Sequence, residues 1–438
     1  MKGKLFHLVM LCLISFPCFS QSILIKPYLQ DLGTYQTTIM WETDSGGKGF
    51  VDWGSTPFSF SNSVVSHDQT GSGSTIIHTA QLKDLSPGTK YYYRVRSQSG
   101  ETSYVYHFKT LEIPENEQSV QLIAISDMQQ DGGNPNVFQD IIEGGMIPII
   151  QSQIDSALTS LEAILIPGDL VQTGGNYASW RSTFFAPSDR LTPYVPIYPV
   201  PGNHEYFGGG LPNFLKYFSL PENGPVSLIE HAWYKDISNI RIIGLNSNSS
   251  GIDQDTQLEW LQSILDSTCT NNQIDFVFAQ LHHPFKSELW LPGESPFTGE
   301  VVGKLETFTA SCGKASIHFF GHTHGYSRGQ SRDHKHLWVN VATAGGNIDY
   351  WGEFANADYP EFNVSQDEYG FVLVSAEAGD DPSFTLKRYT RGDEFVPKNN
   401  ELADEIKVKN NTYPPSTPEP VFPVNDTINE NCLTLRAS

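Results

Sequence analysis

Five short polar runs carry the chemistry of this chain: Ser126-Asp127, Gly168-Asp169, Gly202-Asn203-His204-Glu205, Leu281-His282-His283 and Gly321-His322-Thr323-His324. Their carboxylates, amide and imidazoles form a donor mixture that suits a pair of divalent or trivalent metals better than a single ion. Each run follows an apolar stretch that reads as a strand, over 123–125, 163–166, 197–200, 276–279 and 316–320. Side chains placed just after such strands are delivered from loops at one edge of a rigid sheet, where open α/β sheets hold their chemistry. The chemistry implied is hydrolysis by metal-activated water.

The elements that must position these residues fall into two compositions. Over 23–110, short alternating strands with turn signals predict a β-sandwich. There, Leu85-Ser86-Pro87-Gly88-Thr89 leads into Tyr91-Tyr92-Tyr93-Arg94-Val95 and closely resembles a late strand of fibronectin type III domains. Its aromatics are expected in the core and at an interface. A linker over 111–118 precedes a region, 119–392, in which strands alternate with helical patterns predicted over 150–163, 255–267 and 302–309. Asp253 is placed to cap the second helix, whose Leu258, Leu261 and Leu265 share one face. Late strands are expected at 370–375 and 383–389. A Pro-containing tail is expected over 399–438.

Lys2 and Lys4 flank an apolar run ending before Gln21, so residues 1–20 read as an export signal, too short for a membrane anchor. Losing its two lysines takes the formal charge from −22 to −24. Nucleic acid and anionic membranes are then repelled at long range, and no later apolar run reaches the length of a membrane span. A small phosphate ester is still admissible if metals supply the local charge, because the five runs contain no Arg or Lys. A secreted, periplasmic or extracellular setting follows, and it permits a bridge between Cys269 and Cys312, leaving Cys432 over.

Taken in order, the five runs resemble the calcineurin-like metallophosphoesterase superfamily, and the fibronectin-like front domain makes the chain resemble its purple acid phosphatase branch over about residues 23–390. The resemblance implies a β-sandwich followed by an α/β domain of two mixed sheets flanked by helices. It implies Asp169 as a bridging carboxylate, Asp127 and His324 completing one metal site, and Asn203, His282 and His322 completing the other. His204 would protonate the leaving group or position the phosphate, and Glu205 would hold that histidine or cap a helix. His283 reads as supporting rather than ligating.

This chain departs from the pattern at two places. The purple enzymes carry a tyrosine three residues after the bridging aspartate, where this chain has Gln172; many other relatives carry a histidine two residues after the first aspartate, where it has Gln129. The first metal site is therefore a ligand short, filled by the Gln129 amide oxygen or by water, and no ferric colour is expected. Two ions drawn from Fe, Mn or Zn are the implied cofactors. The leading expectation is an acid-phosphatase-like phosphomonoesterase; a phosphodiesterase, nucleotidase or phospholipid-type enzyme, or a catalytically inactive secreted binding module, are the alternatives. Tyr206, Phe207, Trp290 and Tyr326 are candidate pocket walls and Arg328 a candidate phosphate contact.

Overall fold

The computed structural model describes residues 21–130 and 132–410, together with a short strand pair, Pro420–Phe422 with Arg436–Ala437. The expected leader and Cys432 lie outside the described residues. Among those described, no helix is long and apolar enough to cross a membrane.

The front domain is a sandwich of two four-stranded antiparallel sheets. Strand Lys90–Ser97 shows the two-residue period that a half-buried strand requires: Tyr93 and Val95 point inward onto Trp41, Leu82 and Phe108, while Arg94 and Arg96 turn outward to Asp52. A seam of hydrogen bonds ties this sandwich to the second domain. Tyr28 donates to the Tyr217 carbonyl at 2.8 Å, Tyr93 to Pro193 at 2.7 Å, and Gln30 to Ile197 at 3.1 Å.

The second domain is built on two mixed sheets. One has six strands in the order Ile197–Pro199, Ala163–Ile166, Val120–Ala124, Tyr369–Glu377, Ser383–Gly392, Pro397–Lys409. The other has seven, with Ile240–Gly244, Phe276–Gln280, Ser316–Phe320 and His336–Val341 running parallel at its centre. These central strands are buried throughout, as expected when both faces of a parallel sheet are covered. The sheets pack face to face through Phe384, whose ring lies 5.1 Å from Phe276 and 5.3 Å from Phe278. Helices Gln254–Thr270 and Pro296–Cys312 cover the outer face of the seven-stranded sheet, and Leu258, Leu261, Leu265, Val301 and Leu305 form the packed stripe. Asp253 accepts from the Thr256 N–H at 3.0 Å and starts the first of them. Cys269 and Cys312, near the ends of the two helices, form a disulfide.

Two elements differ from the sequence expectation. The helix expected over 150–163 instead occupies 137–153, with a wide turn over Ile141–Met146. Gly144 and Gly145 break its apolar period, and Gly145 is used for close packing, since a Cβ there would meet Phe371 at 3.1 Å. The Asp155 carboxylate then takes the Ala157 and Thr159 N–H groups and stops the helix short of strand Ala163–Ile166. The tail expected from 399 begins inside a thirteen-residue strand, Pro397–Lys409, that forms the edge of the six-stranded sheet.

Candidate metal centre

The five polar runs leave the C-terminal ends of parallel strands in both sheets, not in one, and converge where those ends meet. Asp127, Asp169 and His322 all have left-handed backbone, with φ of 62°, 54° and 73°. Residues with a Cβ seldom adopt that conformation, and it concentrates where function over-determines the backbone. Gly202 and Gly321 are needed for close approach rather than for a left-handed turn. A Cβ on the first would sit 2.1 Å from Asp169 Oδ1, and on the second 2.2 Å from Asp127 Oδ2.

On one side, Asp169 Oδ2 lies 3.2 Å from His282 Nε2, which is also 2.9 Å from Asn203 Oδ1 and 3.2 Å from His322 Nδ1. The ligand atoms of Asp169, His282 and His322 are within 4.8 Å of one another. His282 Nδ1 donates to the Pro167 carbonyl at 2.9 Å, which fixes the tautomer and turns Nε2 toward the cluster. Burial pulls His282 toward the neutral form, but the Asp169 and Asp127 carboxylates outweigh it and hold the ring up at about 9. His322 is pushed down by burial and by the neighbouring His282. Two imidazoles, one carboxylate and one amide oxygen fit a borderline divalent cation.

The other side is built differently. Asp127 Oδ1 lies 3.3 Å from His324 Nε2, and the His324 Nδ1–H donates to the Asn347 carbonyl at 2.6 Å. Gln129 fills the place of a further ligand. Its amide nitrogen is 3.0 Å from His324 Nε2 and 3.4 Å from Asp169 Oδ2, and its oxygen is buried without a hydrogen-bond partner among the described residues. An amide N–H is a donor and does not ligate a cation. As placed, this side offers Asp127, His324 and a share of Asp169, a ligand fewer than a second ion needs.

The remaining candidates are placed as follows. His204 Nδ1 donates to the Gln172 carbonyl at 2.8 Å, leaving Nε2 3.8 Å from Asp169 Oδ2. Glu205 does not hold His204; its carboxylate accepts the N–H groups of Gly202, Asp169, Leu170 and Val171, at 2.7 to 3.3 Å, and so braces the Asp169 turn. His283 Nδ1 bonds Ser247 Oγ at 2.8 Å, and burial pushes the ring down to about 3. Phe207 and Trp290 flank His204 and His322, at 4.7 and 5.2 Å between rings. Tyr206 bonds Asn246, while Tyr326 is buried against Asp404. Arg328 forks Asp404 at 2.6 and 3.0 Å, so it is not placed as a phosphate contact. Sequence reasoning missed Asn347 and Asp349, whose carbonyl and carboxylate orient His324; the Gly345-Gly346 turn before them was the available signal. An open cleft of about 400 Å³ reaches His204, His324, Gln129 and Gln172, and among the described residues its lining contains no lysine or arginine.

Residues 28–110 match the family described as purple acid phosphatase, N-terminal domain, and residues 120–326 match calcineurin-like phosphoesterase. The chain belongs to the calcineurin-like phosphoesterase superfamily, in its purple acid phosphatase branch. Among curated relatives in this branch, two from Arabidopsis thaliana are described as probable inactive purple acid phosphatases 27 and 1; they are 24% and 23% identical. Each alignment covers 72% of this chain and 56% of the relative, so the chain spans about half the length of these relatives. The purple acid phosphatase PPD1 from yellow lupin (Lupinus luteus) seeds shares the fold, with a TM-score of 0.67 and 20% identity over 87% of this chain and 74% of that one. PhoD does so with a TM-score of 0.66 and 10% identity over 88% and 90%.

These findings correct the functional expectation. An active phosphomonoester hydrolase of the acid-phosphatase type, working through a dinuclear centre, is not upheld. Among the described residues there is one three-residue His/Asp cluster where two metal sites were expected. The physical reason is the Gln129 amide, which lies between His324 and Asp169. The two curated relatives are themselves described as probable inactive.

Proposed function

We propose that this chain is a catalytically inactive, exported binding module of the purple acid phosphatase branch, whose old active-site cleft holds one cation and, with it, a phosphate-type anion that it does not turn over. The observation that carries this reading is the inward-turned Gln129 amide, which fills the first metal position with a hydrogen-bond donor. Asp169, Asn203, His282 and His322 would hold the cation, with Zn, Mn or Fe(II) the ions that suit the donor set. A bound cation would supply the positive charge that the cleft lining lacks. His204 would position the anion from the side facing Asp169, and Glu205 would keep the Asp169 turn in shape. The description of the Arabidopsis relatives supports the absence of turnover, and the Cys269–Cys312 disulfide supports an oxidising setting outside the cytosol.

The test is to strip the protein of metal and titrate back Zn, Mn or Fe(II) under reducing conditions. Bound metal is counted per chain, and Trp290, whose ring lies 5.2 Å from His322, provides a fluorescence readout. One ion per chain, metal-dependent binding of inorganic phosphate and no hydrolysis of aryl phosphomonoester or diester are expected. Two ions per chain with metal-restored hydrolysis that Asp169→Ala abolishes would overturn the reading.

A further inference from the structure

A cleft of about 510 Å³ lies outside the metal centre, in the seam between the two domains. The sandwich contributes Lys26, Tyr104 and Tyr106 to it; the second domain contributes Gln151, Arg190 and Tyr194. Its size is that of a small-molecule site. Two of its aromatic rings are already packed, since Tyr106 and Tyr194 meet edge-on at 5.6 Å. Tyr104 lines the same cleft and is 78% exposed, so its ring face is open to a ligand. Arg190 is exposed too and makes no ion pair among the described residues, whereas Lys26 is paired with Asp189 at 2.5 Å. The floor is rigid. His107 is 2.7 Å from the Ala157 carbonyl, and Asp155 pins the Ala157 and Thr159 N–H groups. Leu158 in that floor has φ of 58°, an outlier for a bulky residue and of the kind that gathers at ligand sites.

We infer that this seam cleft binds a short oligosaccharide bearing a carboxylate. The exposed Tyr104 ring offers a flat apolar face for the C–H face of a sugar. Gln151 and the Lys26–Asp189 pair offer donors and acceptors for hydroxyls. The unpaired Arg190 guanidinium offers the planar fork that a carboxylate fits. Charge sharpens the choice. The chain carries formal −22, so an unneutralised cation facing an open cleft stands out from its surroundings, and salt limits the opposing long-range repulsion to roughly 8 Å at physiological strength. The site uses none of the residues of the five polar runs, so its test does not depend on metal.

The full chain, stripped of metal, is titrated calorimetrically with sialyllactose and with a galacturonic acid trimer as acidic probes, and with lactose as the neutral counterpart. At least one acidic probe is expected to bind about tenfold or more tighter than lactose, because a hydrogen bond to a charged group is worth at least that ratio. Arg190→Gln should remove that preference, and Tyr104→Ser should weaken the acidic probe. Both positions are exposed, and unchanged thermal unfolding of the variants will show that they fold. Failure of both acidic probes to bind, equal binding of lactose, or binding indifferent to both substitutions would each overturn the inference.

Discussion

The two halves of the metal cleft start from similar material and end differently. Each has a carboxylate on a left-handed turn and a histidine whose Nδ1 is fixed by a backbone carbonyl: Asp169 with His282 on one side, Asp127 with His324 on the other. On the first side an amide presents oxygen, Asn203 Oδ1, to the cluster. On the second an amide presents nitrogen, from Gln129. The same functional group thus acts as ligand or as plug according to which atom is turned inward. Retained ligands alone do not make a two-metal centre, because every place in the coordination shell has to be of the right polarity.

The sharpest way to break the comparison is at the residue both halves share. Asp169→Ala should weaken cation binding by more than about 100-fold, beyond the 10–100-fold typical of losing a partner outside the ligand shell. Metal retained after gel filtration with added Zn checks it, and undiminished binding would mean the cluster is not the site. Gln129→His converts the plug into a ligand. It should raise the count from one ion per chain to two, measured by elemental analysis, without loosening the first. Glu205→Ala strips the brace from the intact half only. Because four N–H groups lose their acceptor in a buried place, a loss of about 3 kcal/mol in stability is expected, with cation affinity down roughly tenfold; denaturant unfolding and metal titration read the two effects.

The smallest effect concerns the strand Ser316–Phe320, which feeds both halves. His318 is buried in it, with Nδ1 3.0 Å from His336 Nε2 and its own Nε2 unpartnered, and burial pushes its titration down to about 3. The unfolded chain takes up a proton below about pH 6.5 that the folded chain refuses until about 3. Its contribution to stability is therefore complete above 6.5 and declines as pH falls, by about 1.4 kcal/mol per pH unit. Urea midpoints compared between pH 7 and pH 5 should show the decline, and His318→Leu should remove one histidine's share of it, since His336 and His283 are held down by burial as well.

What was legible in the sequence was what is local. Ligand residues two to four places after buried apolar runs announce strand ends, and the two-residue period around Tyr93 and Val95 announces a sandwich. What was not legible depends on partners far along the chain. The place of the Gln129 amide is decided by a contact with His324, 195 residues away, and the neutralisation of Arg328 by Asp404, 76 residues away. Glu205 was legible as a helix cap, since it accepts the Gly202 N–H at the start of its own helix, but not as the acceptor for the turn after strand Ala163–Ile166. The strand at 397–409 looked like a tail because its apolar residues are few, and its order comes from the neighbour it pairs with. Gly144 and Gly145 hid a helix for the opposite reason, since they serve packing against Phe371 at the expense of periodicity.

That edge strand has a consequence for how the molecule behaves in company. An outermost strand of thirteen residues offers a long row of backbone groups to any other sheet edge, which is the usual start of aggregation. Here the row is interrupted by register breaks near Arg388 and Gly392 and carries Lys398, Glu401, Asp404, Glu405, Lys407 and Lys409. Lys398 is engaged with Glu368 and Lys409 with Asp381, so charges of both signs are held along the border. A second copy sliding alongside would have to bury them, and in a chain that is strongly acidic overall it would also meet its own repulsion. Among the described residues, the charged border therefore opposes edge-to-edge pairing of two copies.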